Sequence, residues 1–111
     1  MHPLKVSSGS DPSSTAGAIA HGVRERGTVE IQVIGPRAVN QAVKAIAIAR
    51  GYLAASGVDL YCIPSFTSIR VAEGEQEKTA IHFSIRTRHA IGATMVLTQG
   101  PTNEFRGEEQ V

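Results

Sequence analysis

A single cysteine, Cys62, stands in the chain. It leaves no intrachain disulfide, no Cys-based zinc site and no CxxC redox pair, and it points to a reducing compartment. Tryptophan is absent, and two tyrosines and three phenylalanines are the whole aromatic complement. Neither sign of charge dominates. Eleven basic residues face ten acidic ones, and a net charge of +1 gives no bulk electrostatic steering. Long apolar runs are missing as well. The most apolar stretch, Ala38 to Ala49, is interrupted by Asn40, Gln41 and Lys44, and it falls far short of the roughly 20 residues that span a bilayer. The opening Met1-His2-Pro3-Leu4-Lys5-Val6 has no apolar stretch resembling a signal sequence. A soluble, cytoplasmic protein without membrane contact is expected.

What is present fits one globular domain. At 111 residues, 41% hydrophobic and 19% charged, the chain has room for one modest core and not for a second domain. Its charge is uneven: residues 1–71 carry seven basic and four acidic residues, residues 72–111 four and six. Affinity for a polyanion would therefore reside in a local patch rather than in the whole field.

Local signals set an element order. Leu4-Lys5-Val6-Ser7 alternates as a short first strand. Asp11 is a good N-cap and Pro12 a favourable first helical residue, since its missing N–H would have no helical partner there. Ala16, Ile19, Ala20 and Val23 recur at helical spacing, Arg24 and Arg26 suit the last turn, and Gly27 ends the helix. Residues 28–34 alternate as a second strand. Gly35-Pro36 then opens a second helix to Arg50, with Gly51 as terminator. Its expected core stripe is Val39, Ala42, Val43, Ile46 and Ala49. Ile48 falls on the opposite side with Gln41, Lys44 and Tyr52, facing either a partner subunit or neighbouring chain. Val58 to Ile63 reads as a third strand, continued through Phe66, Ile69 and Val71 after a kink at Pro64. An acidic hairpin loop at residues 72–77 leads to a fourth strand, Thr79 to Arg88. The order β-α-β-α-β-β describes an α+β domain over residues 1–88, a four-stranded sheet with two helices on one face. Residues 89–111 read as an extension, an extra strand within Ile91 to Gln99 and then a mobile tail.

Catalytic and cofactor signals are sparse. His2, His21, His82 and His89 are dispersed without an HxxxH or HExxH spacing, so no metal site is expected. No GxSxG elbow, GxGxxG or GxxxxGK[ST] pattern occurs, so neither an enzyme nor a nucleotide cofactor is expected. A polyanion surface remains. Arg37 lies in the first turn of the second helix beside free backbone N–H groups, and Asn40, Gln41 and Lys44 follow on the same or adjoining faces. Arg and Lys neutralise phosphates, whereas Asn and Gln donate hydrogen bonds to backbone or base edges. Lys5, Arg70, Lys78, Arg86 and Arg88 add basic positions on strands.

Several runs resemble one family closely. Val6-Ser7-Ser8, Ala16-Gly17-Ala18-Ile19-Ala20, Arg24-Glu25-Arg26-Gly27, Ile34-Gly35 and the unbroken Asn40 to Gly51 look like stage V sporulation protein S. So do Ser56-Gly57-Val58-Asp59-Leu60, Cys62-Ile63-Pro64 and Phe66-Thr67. The likeness covers about residues 4–86. That family is in turn similar to the Alba proteins, small dimeric chromatin and RNA binders of β-α-β-α-β-β order. The resemblance implies an Alba-like two-layer sandwich and a regulatory nucleic-acid binder, with contacts at Arg37 and Gln41. Gln41 replaces a basic residue common in Alba proteins, and Ser8-Gly9-Ser10 stands where they carry lysine, which implies weaker phosphate neutralisation. The combined expectation is a non-catalytic homodimer binding DNA or RNA through Arg37, Asn40, Gln41, Lys44, Lys5 and Arg86, with Ile48 and Tyr52 at the dimer interface. The alternative is a protein–protein adaptor without nucleic-acid binding.

Overall fold

A computed structural model describes residues 3–70, 72–74 and 76–89. Six elements follow in the order β1 (Leu4–Val6), α1 (Pro12–Arg26), β2 (Thr28–Val33), α2 (Pro36–Ala54), β3 (Val58–Ile69) and β4 (Lys78–His89). The sheet order is β1-β2-β4-β3. β1 and β2 run parallel through the α1 crossover, while β4 is antiparallel to both of its neighbours. This is the expected α+β two-layer arrangement. The expected strand and tail after residue 89 lie outside the described residues.

Alternation in β2 sets the two faces of the sheet. Val29, Ile31 and Val33 are buried, and Thr28, Glu30 and Gln32 are half-buried between them. Val29, Ile31 and Val33 stand opposite Ile85, Phe83 and Ile81 of β4, so one apolar face runs across both strands. α1 adds Ala16, Ile19, Ala20 and Val23 to this core. Its start is as expected: the Asp11 carboxylate accepts from the Ser14 N–H at 2.9 Å, and Pro12 opens the helix. Gly22 lies buried where α1 crosses β2. A Cβ there would come within 2.6 Å of Val29 Cγ2, so only glycine permits this approach.

α2 departs from its expected orientation. Its buried line is Ala38, Ala42, Ala45, Ala49 and Leu53. Val43, expected in the core stripe, is 50% exposed. Ile48, expected on the far side, is half-buried and packs against the core of its own chain. The inward line is alanine along most of its length, which brings the helix close to α1 and the sheet. An aliphatic residue count therefore points to the wrong angular position. The helix also continues past Gly51 to Ala54. Glycine costs a helix interior about 1 kcal/mol relative to alanine, and burial of Leu53, 1% exposed, offsets that at roughly 1.5–3 kcal/mol.

β3 shows no break at Pro64. It pairs with β4 from Val58↔His89 to Ile69↔Lys78, with Pro64 opposite Phe83. Among the described residues β3 is an edge strand, and a proline lacking an N–H is accommodated there. β2 covers only Ile81 to Arg86 of β4. The loop end of the β3–β4 hairpin, Thr67–Ile69 against Lys78–Ala80, thus reaches beyond β2, and on the outer strand β3 the side chains of Ile63 and Phe66 are exposed.

Candidate nucleic-acid interface

The site forms where three chain segments meet at one end of the sheet. β2 ends at Val33, and the chain turns at Gly35 with φ 89° and ψ 156°. That combination is essentially restricted to glycine, and it aims Pro36 into the first turn of α2. Gly35 supplies no side chain to cap this helix, and the first intrahelical bond runs from Val39 N–H to the Gly35 carbonyl at 3.1 Å. Pro36 has no N–H, so the early amides of Arg37 and Ala38 lie before that first bond and face outward without a capping side chain. Arg37 is exposed beside them.

The loop after β1 is held against this helix head. The Ser7 N–H donates to Ser10 Oγ at 2.9 Å, and the Ser10 N–H returns to the Ser7 carbonyl at 3.1 Å. Gln41 Nε2 donates to the Ser10 carbonyl at 2.8 Å, and Asn40 Nδ2 donates to Gln41 Oε1 at 3.2 Å. Gln41, expected as a nucleic-acid donor, thus also ties the loop to α2 and sets Ser8 beside Arg37. Two hollows among the described residues at this end of the molecule follow from that arrangement. The smaller, of about 510 Å³, is lined by Ser8, Pro36, Arg37, Asn40 and Gln41. The larger, of about 880 Å³, shares Ser8, Pro36 and Arg37 with it and extends over Lys5, Ile34 and Gln32 to Ile69 and Arg70 at the end of β3.

The larger cleft carries Lys5 of β1, Arg37 of α2 and Arg70 just after β3, and no carboxylate lines it among the described residues. Arg70 makes an exposed ion pair with Glu77 at 3.7 Å. The expected residues therefore divide. Lys5, Arg37, Asn40 and Gln41 converge, whereas Lys44 lines neither hollow. Arg86 is remote: it stands opposite Thr28 at the start of β2, and the cleft opens beyond the end of that strand. Its Nε donates to Ser84 Oγ at 3.1 Å. Arg88 is occupied elsewhere, donating to Asp59 at 3.3 Å. The sequence pointed to Arg70 as one basic strand residue among several, without placing it beside Arg37. Ile34 and Ile69 were legible as strand residues, and nothing in the sequence marked them for this cleft.

A family model of stage V sporulation protein S matches residues 2–88. The chain belongs to the stage V sporulation protein S family. Membership places it among sporulation-related proteins and agrees with the runs that carried the resemblance. The matched segment contains Lys5, Arg37 and Arg70, the three cations that line the cleft among the described residues. No helix among the described residues is long and apolar enough to cross a membrane.

A further polar cluster lies on the sheet face away from the core. Glu30 is the hub of a network, hydrogen-bonded to His82 Nε2 and accepting from Ser84 Oγ at 3.1 Å and Thr28 Oγ1 at 3.3 Å. Partial burial pushes the Glu30 carboxyl up, but the bonds from His82 and Ser84 outweigh it and hold the group below the usual carboxylate range. This network fixes the sheet surface and leaves the α2 head untouched.

Proposed function

We propose that this chain is a non-catalytic regulatory protein that binds DNA or RNA through the head of α2, acting as a cytoplasmic homodimer in a sporulation programme. The observation that carries this reading is the gathering of Lys5, Arg37 and Arg70 around one cleft. Arginine and lysine beside free helix amides are the donors phosphate oxygens require. Few cations per subunit mean micromolar affinity and a shallow salt dependence, each phosphate neutralised on duplex DNA contributing roughly −0.9 to the slope. Such contacts position a backbone without reading bases, so binding is largely independent of sequence. The test is retention of labelled nucleic acid by the full chain at about 50 mM salt, where such contacts are strongest. Absence of any retention removes this reading.

A second reading, a protein–protein adaptor, draws on a separate observation. Val43, Tyr52, Ile63 and Phe66 are exposed, Phe66 at 79%. Exposed apolar surface of this kind marks protein contacts. In the leading reading the same residues supply the isologous dimer surface, with Val43, Ala47 and Gly51 giving α2 an exposed stripe of small and apolar residues.

A further inference from the structure

We infer that the cleft accepts an unstacked nucleotide of a single strand, so that the protein prefers single-stranded nucleic acid to duplex. The inference rests on the nucleic-acid reading above and specifies the strand state of its ligand. Lys5, Arg37 and Arg70 supply its charge, and Val6, Ile34 and Ile69 supply apolar surface between them. Its volume of about 880 Å³ lies within the roughly 300–1,000 Å³ of pockets that enclose small organic groups. Surface phosphate contacts need no such hollow.

A duplex presents phosphates outward and keeps its bases stacked inside. Docked here, it would satisfy the cations while Ile34 and Ile69 faced charged oxygens or water. A single strand can turn a base out of its stack, as single-strand recognition generally requires. The flat base face then buries against the isoleucines, and flanking phosphates meet Lys5 and Arg37. Arg70 adds a planar guanidinium, a group that stacks on bases. Glu77 lies 3.7 Å from it, and both side chains are more than half exposed, so the pair reorganises at little cost. The adjoining hollow, lined by Arg37, Asn40 and Gln41, continues the path for the next nucleotide, with carboxamides instead of lysines along it.

Fluorescence anisotropy of the full chain at about 50 mM salt tests this, using one labelled oligonucleotide alone and annealed to its complement. The single strand is expected to bind about tenfold more tightly, the low end of what one buried base contributes. Ile34→Ser, at a position 40% exposed, is expected to remove most of that preference and leave duplex binding unchanged. Equal or tighter binding of the duplex by the unmutated protein overturns the inference and leaves nucleic-acid binding standing. A preference that survives Ile34→Ser in a folded variant also overturns it, because the apolar floor is then not its source. Binding of neither form overturns the nucleic-acid reading itself.

Discussion

Arg50 grips Asp59 with two nitrogens, Nε on Oδ1 at 2.5 Å and a terminal nitrogen on Oδ2 at 3.3 Å, and so fastens the end of α2 to the start of β3. Arg88 reaches the same carboxylate from β4 at 3.3 Å, and the Leu60 N–H donates to it at 2.9 Å. The Asp59 side chain is 4% exposed, whereas both arginines are more than half exposed. Loss of a buried pair would cost several kcal/mol, and solvent on the arginine side reduces this. Asp59→Ala is expected to destabilise the fold by about 1–3 kcal/mol, read from the urea midpoint.

The same carboxylate fixes a pH dependence. The Arg50 hydrogen bond, outweighing burial and helped by the Leu60 N–H, holds Asp59 below its ordinary value. A depressed carboxylate stabilises the native state fully above its unfolded pKa, about 3.9. That stability is lost as pH falls toward and through the lower native value. Glu30 adds in the same direction. Thermal unfolding should show stability falling as pH drops below about 4, with a shallower fall in Asp59→Asn. An unaltered acid limb in that variant would count against this assignment.

Gly35→Ala isolates a backbone effect. Among the described residues no heavy atom beyond its chain neighbours lies within 4 Å of the position a Cβ would take, so the cost comes from φ 89°. Destabilisation of about 1–3 kcal/mol is expected. Because this residue aims α2, nucleic-acid retention should weaken in the fraction that remains folded.

Arg37→Glu is expected to weaken retention equally across sequences without changing the melting temperature, since the side chain is exposed and carries no ion pair among the described residues. Lys5→Gln and Arg70→Gln should each weaken binding and reduce the salt slope by up to about 0.7–0.9. Arg86→Gln, outside the cleft, should leave the slope alone. Gel shifts over a salt series measure all four variants.

Oligomeric state separates two neighbouring residues of α2. Val43→Asp is expected to shift a dimer toward monomer in light scattering and to spare the fold, because Val43 is 50% exposed. Ile48→Asp instead places a charge against the core of its own chain, so its main effect should be a lowered melting temperature.

The order of elements was legible because its signals are local. Asp11-Pro12 caps and opens a helix whatever else the chain does, Gly35-Pro36 turns a strand into a helix, and alternation in Thr28–Val33 names the buried face. Arg37 was legible for the same reason, as a charge placed in a first turn. Tertiary structure decided the rest. The face α2 buries depends on how closely it approaches α1 and the sheet, and alanines allow the closest approach, so Val43 and Ile48 exchanged their expected environments. Pro64 stays within β3 because that strand has one neighbour among the described residues. The cleft depends on chain closure: Lys5, Arg37 and Arg70 are far apart in sequence and become one site only where β1, α2 and the end of β3 meet. Local periodicity carries no information about such distances, because they are set by which strands pair and in what register.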